Sequence, residues 1–309
     1  LNKTIKGQKR KSLLKTIRKK QWRVMQCIVK EFSNGSFATE FQEFLNSLNG
    51  KIPSGIFVFS LTDAQILRED GKEPWQMITG SKDLGLYKFN KHLPLLAYSG
   101  QQGYWDIPIP TQDDIDYVKN PQDIPNIEWS QKIQKAVFRG NPTGCGYTTE
   151  TNMRLKISTL NSPLLDAGII QNKSSSLKFD PIEGLGELNQ AQIKKVPKLD
   201  LINEQIKFKY IVHIDGNVLA YRLLKSMLLG SLILRVRSPY IHWLDHIMEE
   251  GKHFIYVKED LSDLEQRIEW CIQNDTKAKK IAQQGQRFAQ KVLTKDFINK
   301  YFLKLLKSL

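Results

Sequence analysis

Cysteine is scarce in this 309-residue sequence: Cys27, Cys145 and Cys271 are too few and too widely spaced for a disulfide framework or a metal knuckle. That usage suits a reducing compartment, and a cytoplasmic location is the expectation. No apolar run approaches the roughly 18 to 20 residues needed to cross a bilayer, so no transmembrane segment is expected. The N-terminus lacks the apolar core of a signal peptide. No internal repeat is present, which excludes solenoids and propellers. Acidic residues are in deficit, 32 Asp and Glu against 46 Lys and Arg, giving a formal net charge of +14. Such a balance suits an anionic partner: nucleic acid, an acidic membrane surface or a phosphorylated small molecule.

What is present argues for a folded protein, since 40% of the residues are hydrophobic. The length is enough for two domains with separate cores. Lysines and arginines crowd the first twenty residues and return at Lys291, Lys295, Lys300, Lys304 and Lys307. Both groups read either as solvated helical faces or as contact surfaces. Residues 12–32 carry apolar positions at near-helical spacing, which predicts an amphipathic helix.

Short buried strands are predicted at Ile56 to Phe59, Leu93 to Tyr98, Lys135 to Phe138, Tyr210 to Ile214, Ser231 to Val236 and His253 to Val257. Helices are predicted at Phe41 to Leu48, Asn152 to Leu160, Asp263 to Asn274, Lys277 to Val292 and Phe297 to Leu306. Ser262 and Glu265 have capping-box spacing before the third of these. Alternating strands and helices indicate an α/β architecture with parallel sheets. The stretch from Val118 to Trp129, with Pro121 and Pro125, reads as a linker, and Lys173 to Lys198 as an irregular surface insertion. The expected organisation is a unit over residues 1–128, a second over 129–290, and a C-terminal helix over 291–309 that packs back on the first.

The segment from Lys209 to Gly230 changes period in its middle, from strand to helix, at Asp215-Gly216-Asn217. A strand-to-helix turn aims free N–H groups and a helix dipole at one point, where a phosphate fits, and Arg222 could add a charge-assisted bond. An ordinary βα unit with a solvated Arg222 is the alternative. The loop Arg139 to Gly146 also follows a strand and brings backbone close to a ligand, with Arg139 and Arg154 adding charge. It lacks the Lys and Ser/Thr of a P-loop and the spacing of a dinucleotide fingerprint. Asp63 follows the strand ending at Phe59, the place where α/β sheets do chemistry, unless it merely caps the next helix. In the loop after Tyr98, Tyr104 and Trp105 suit a sugar or peptide face, or else they pack inward. Asp114-Ile115-Asp116 could hold a divalent cation, but it reads better as a solvated acidic turn.

Taken in order, Phe138-Arg139-Gly140 with Gly144, the turn ending in Ala220-Tyr221-Arg222, and Tyr256-Val257 with Asp260 to Leu264 resemble a known series. They are similar to glycosyltransferase family 90, the protein O-glucosyltransferases and capsule xylosyltransferases, over about Ile56 to Phe288. The sequence lacks the secretory features and paired cysteines of those enzymes and looks nearer to shorter homologues from large DNA viruses.

The resemblance implies a GT-B-like fold, two Rossmann-like domains facing across a cleft. It implies an inverting, metal-independent transfer of xylose or glucose from a UDP-sugar to a hydroxyl of a glycan or protein acceptor. No cofactor or metal is expected. Asn141, Arg154, Asn217, Val218, Leu219, Ala220, Tyr221 and Arg222 match donor-binding positions; Asp63 matches the catalytic base, and Tyr104, Trp105 and Asp106 fall in the acceptor region. Asp106 is the runner-up base. Two departures stand out: Asp215 precedes Gly216 where the O-glucosyltransferases have Arg, and Asp63 lacks their Arg-Asp-Tyr context. The rival readings are a basic nucleic-acid-binding protein, although no helix-turn-helix, zinc or aromatic RNA-binding motif is present, and a catalytically inactive sugar-binding relative.

Overall fold

Runs of β-branched, aliphatic and aromatic residues form a sheet buried on both sides in a computed structural model that describes residues 36–48, 50–55, 57–61, 65, 69, 95–144, 146–170, 177–180, 182–188 and 193–309. Six strands make it: β5 (Ile133–Gly140), β6 (Leu165–Ile170), β9 (Lys195–Val196), β10 (Phe208–His213), β11 (Leu232–Val236) and β13 (Ile255–Val257). Their spatial order is β13-β11-β10-β5-β6-β9, and every pairing is parallel. Counted by appearance within the sheet this is 3-2-1-4-5-6, the order of a doubly wound nucleotide-binding fold. The order in which the chain adds strands reverses between β5 and β10.

A smaller parallel sheet, β1 (Val58–Ser60), β2 (Leu95–Ala97) and β4 (Ile107–Pro108), belongs to the N-terminal part, with α1 (Ser36–Ser47) and α2 (Gln112–Lys119) beside it. Two parallel sheets with helices make this an α/β, GT-B-like protein. Helices α3 (Met153–Thr159), α4 (Leu223–Leu228), α5 (Leu264–Gln273) and α6 (Asp275–Val292) accompany the large sheet. The last helix, α7 (Lys295–Ser308), sets Phe302 against Phe41, Phe44 and Phe59, with ring centroids 6.1, 5.2 and 6.2 Å apart.

The two sheets are also tied by polar and backbone contacts. Trp243 Nε1 donates to Asp114 Oδ2 at 2.8 Å, and β3 (Gly100–Gln101) pairs antiparallel with β12 (Tyr240–Ile241). Asp114 is therefore no solvated turn. It is fully buried, closes a capping box with Thr111 at the start of α2, and burial raises its carboxyl pKa to about 7.

Several expectations need correction. Residues 173–198 contain order: β7 (Leu177–Asp180) and β8 (Gly184–Glu187) form an antiparallel hairpin, and β9 joins the large sheet. The sequence reading also passed over β6. The capping box at Ser262 does not form. Buried Leu261 turns the chain with a φ of 62°, leaving Ser262 N on Asp260 Oδ1, while Glu265 instead accepts from Ser162 Oγ at 2.6 Å. The basic helix over residues 12–32, Cys27, Cys145 and Asp63 lie outside the described residues.

Candidate active site

In a doubly wound sheet the ligand crevice opens where the strand order reverses, beyond the C-terminal ends of the two strands that part there. Here those strands are β5 and β10, followed by residues 141–146 and 214–222. The two segments are bound to each other by the residues that sequence matching selects. Arg154, just after the N-cap Asn152 of α3, donates from Nε to Asp215 O at 3.0 Å, from Nη2 to Ile214 O at 2.9 Å, and from Nη1 to Asn141 O at 3.3 Å and Thr143 Oγ1. Asn217 Oδ1 accepts from Gly144 N at 2.9 Å, and Arg222 Nη2 donates to Arg139 O at 2.7 Å. Arg154 is thus first a clamp that fixes the shape of both loops. Burial and the nearby Arg222 lower its pKa to about 10, still far above neutrality, so the crevice keeps two positive charges.

Gly216 is required by this clamp. A Cβ there would lie 2.8 Å from Thr143 Oγ1 and 3.2 Å from Arg154 Cζ, and the Arg154 fork is held by its four hydrogen bonds and cannot swing aside.

The helix expected to start at Asn217 begins at Leu223, with Arg222 as its N-cap residue, and it is six residues long. Burial explains the delay. Val218 and Leu219 both turn their side chains into the core, which stabilises by about 1.5 to 3 kcal/mol each and which consecutive helical positions on an exposed turn would forfeit. Asp215 Oδ1 then accepts from Ala220 N at 2.7 Å, holding the segment as a loop. Among the described residues, the N–H groups of Asn217 and Val218 have no acceptor. Tyr221 packs its ring 5.8 Å from that of Tyr98.

Arg139 does not bracket the crevice. It is buried on the other side of its strand, donating to Asp166 Oδ1 and O at 2.8 Å each and to Pro197 O at 3.3 Å. That direction follows from strand alternation, since Gly140 and Phe138 take the opposite face.

Sequence reasoning missed the wall beside β11. A cleft of about 170 Å³ is lined by Gly144, Asp215, Arg237, Ser238, Tyr240 and Glu259, among others. Asp215 joins its two sides, because Oδ2 accepts from Ser238 Oγ at 2.6 Å while Oδ1 holds Ala220. Tyr240 Oη donates to Asn217 O at 2.6 Å, and the Arg237 guanidinium lies 3.9 Å from the Tyr256 ring centroid. Burial opposes ionisation of Asp215, yet His213 beside it, the Ser238 hydroxyl and the Ala220 N–H hold its pKa below the usual carboxylate value. Burial conversely lowers the pKa of His213, so this imidazole is neutral at pH 7. The signal was available: Ser238-Pro239 follows β11 as Asp215-Gly216 follows β10, and the strand-end rule applies to both.

The aromatic loop after β2 meets this cleft through the β3–β12 pairing and through Gln102 N, which donates to Pro239 O at 3.0 Å. Trp105 is 51% exposed, Tyr104 is half-buried, and Asp106 is buried. Gln65 Nε2 reaches Ser99 O in the same loop at 3.4 Å.

Substitution of Asp215 separates tying from charge. Asp215→Asn keeps an acceptor for Ala220 N and a donor toward Ser238, and it removes a negative charge near Arg154, so UDP affinity should be retained or rise. Asp215→Ala removes both ties and should weaken UDP binding about tenfold, the value of roughly 1.4 kcal/mol from one or two net hydrogen bonds. Equal affinities in the two variants, read by calorimetry, would show that the ties do not shape the cleft.

Comparison with known proteins gives the family. The model of glycosyl transferase family 90 matches residues 37–309. Uncharacterized protein 035R of Invertebrate iridescent virus 3 is 33% identical over 266 residues, covering 78% of this chain and 24% of that protein. Protein O-glucosyltransferase 3 of Homo sapiens is 31% identical over 225 residues, covering 69% of this chain and 41% of that protein. The chain thus spans about a quarter of the viral relative and two fifths of the human one, and the viral relative is longer than this chain, not shorter. Among solved structures, Anabaena HepE in complex with UDP and glucose matches 93% of this chain and 82% of that one at 12% identity, with a TM-score of 0.45. On the strength of the family match, this chain is a member of glycosyl transferase family 90.

Proposed function

We propose that this chain transfers a sugar, glucose or xylose, from a UDP-sugar to a hydroxyl of a glycan or protein acceptor, with inversion and without a metal. The observation that carries the reading is the convergence of Arg154, Arg222 and the loops after β5 and β10 at the switch point of a doubly wound sheet. Family membership, and the O-glucosyltransferase names of several relatives, support the class of donor.

The acceptor oxygen attacks C1 of the sugar from the face opposite the diphosphate, and its proton passes to Asp63. The C1–O bond to the diphosphate breaks, and its electron pair leaves with UDP. Charge on the departing oxygens is held by Arg222, by the positive field of Arg154 and by the N–H groups of Asn217 and Val218. The nucleoside end occupies the cleft of Arg237, Ser238 and Tyr240, and Trp105 offers a ring to the acceptor.

Melting temperatures and hydrolysis measured across a panel of nucleotide sugars test the donor. UDP-glucose or UDP-xylose should stabilise the protein, and stabilisation by GDP- or CMP-sugars alone would sink the proposal. Activity should survive excess chelator. The carboxylates of the acidic turn are already engaged: Asp114 by Thr111 and Trp243, Asp113 near Lys225, and Asp116 by Gln112. Loss of turnover in chelator, restored by manganese, would overturn the metal-free mechanism.

A further inference from the structure

Helix α6 buries Ala278, Ile281, Ala282, Gly285, Ala289 and Val292 along one side. Lys277, Lys280, Arg287 and Lys291 are all exposed, and at 3.6 residues per turn they fall within roughly 80° of one another on the outward side. They form a straight row roughly 21 Å long. The only acidic residue of α6 is Asp275, which is paired with Lys209 at 2.8 Å. None of the four cations in the row has an ion-pair partner among the described residues.

Local physics opposes this arrangement. Lys277 with Lys280, and Arg287 with Lys291, are like-charge neighbours on adjacent turns and repel each other. Lys277 also stands in the first turn, at the positive end of the helix dipole, whereas Lys291 in the last turn is favoured by it. Some cations on other helices are paired. On α7 Lys300 pairs with Asp296 at 2.7 Å, on α5 Arg267 pairs with Asp263 at 2.9 Å, and Lys119 of α2 pairs with Glu43 of α1 at 3.1 Å. An external anionic surface would relieve the repulsion along the α6 row.

We propose that this row docks the protein on the anionic face of a lipid bilayer by electrostatic attraction, without insertion. A single convex line of charges matches a plane of mobile headgroups, which can gather beneath each cation. Three of the four are lysines, compact point charges suited to such headgroups, whereas recognition of fixed phosphates favours the arginine fork. The one aromatic of α6, Phe288, packs inward on the core and against His253, leaving no ring to stack on a nucleic-acid base. No aromatic anchor of the kind that dominates protein interfaces lies on the row either. Each cation near an anionic membrane contributes about a fivefold gain in partitioning.

The test is co-sedimentation of the full chain with phosphatidylcholine vesicles, with and without phosphatidylserine. The protein should bind only the vesicles that contain phosphatidylserine and should be released by high salt. The variant K277Q/K280Q/R287Q/K291Q should bind at least about tenfold less, with an unchanged melting temperature. The pairs K277Q/K280Q and R287Q/K291Q, made separately, should each show an intermediate loss. A control, K198Q/K207Q/K304Q/K307Q, removes the same charge from exposed lysines off the row and should keep most of the binding. Absence of binding to phosphatidylserine vesicles, wild-type binding by the row variant, or an equal loss in the control overturns the proposal. So does row-dependent binding of duplex DNA at a salt concentration that abolishes vesicle binding.

Discussion

Replacing Asp63 by Asn should slow sugar transfer by roughly 10² to 10⁴, the usual worth of a general base, and leave UDP-sugar affinity nearly unchanged. Asn keeps the size and most of the hydrogen bonding of Asp but cannot take the acceptor proton. The assignment rests on the position of Asp63 after the strand that ends the Val58–Ser60 run and on the family match across residues 37–309. A helix-capping role predicts a different outcome, a loss of about 1 kcal/mol in stability and little change in turnover. Asp106→Asn is the comparison, because Asp106 is buried in the loop that the β3–β12 pairing joins to the cleft of Asp215, Ser238 and Tyr240. Near-normal transfer by Asp63→Asn, together with abolished transfer and intact UDP affinity in Asp106→Asn, would move the base to Asp106.

Arg222→Ala should weaken binding of free UDP by about 1.5 to 3 kcal/mol, the range for a hydrogen bond to a charged group, or roughly tenfold to more than a hundredfold. Among the described residues its one hydrogen bond, to Arg139 O, leaves further guanidinium N–H groups for phosphate oxygens. Lysine at this position should recover only part of the affinity, since a point charge does not reproduce a planar fork. Arg154→Ala should behave differently. It releases Ile214 O, Asp215 O, Asn141 O and Thr143 Oγ1 together, so affinity and melting temperature should fall in parallel. UDP affinity unchanged in both variants would remove the phosphate site from this crevice. A loss of affinity in Arg154→Ala without any loss of stability would contradict the clamp.

Much of the architecture was legible in the sequence. Buried parallel strands announce themselves as short apolar runs, and the four predicted strands that fall wholly in described residues lie within about two residues of the observed ones, as do the helices α3, α5, α6 and α7. The irregular short elements were not legible. Strand β6 carries Asp166 and Gly168 among its apolar residues, and the β7–β8 hairpin alternates over only four residues a side, two of them glycines in β8, so neither has a period long enough to separate it from a loop. The site residues were named by motif, but motif matching does not show which way a side chain faces. Arg139 and Arg154 look equivalent around the glycine-rich loop, yet one points to Asp166 and the other closes on residues 214–216.

The sequence by itself determined the alternation of strands and helices, the strand-end placement of the candidate residues, and membership of the family, because these depend on local period and on residue order along the chain. Only the tertiary structure decided that residues 217–222 form a loop and not a helix. There the burial of Val218 and Leu219 and the carboxylate of Asp215 outweigh local helical spacing. It also decided that Asp215, Ser238 and Tyr240 share one cleft, since residues more than twenty positions apart meet only once β10 and β11 lie side by side in register.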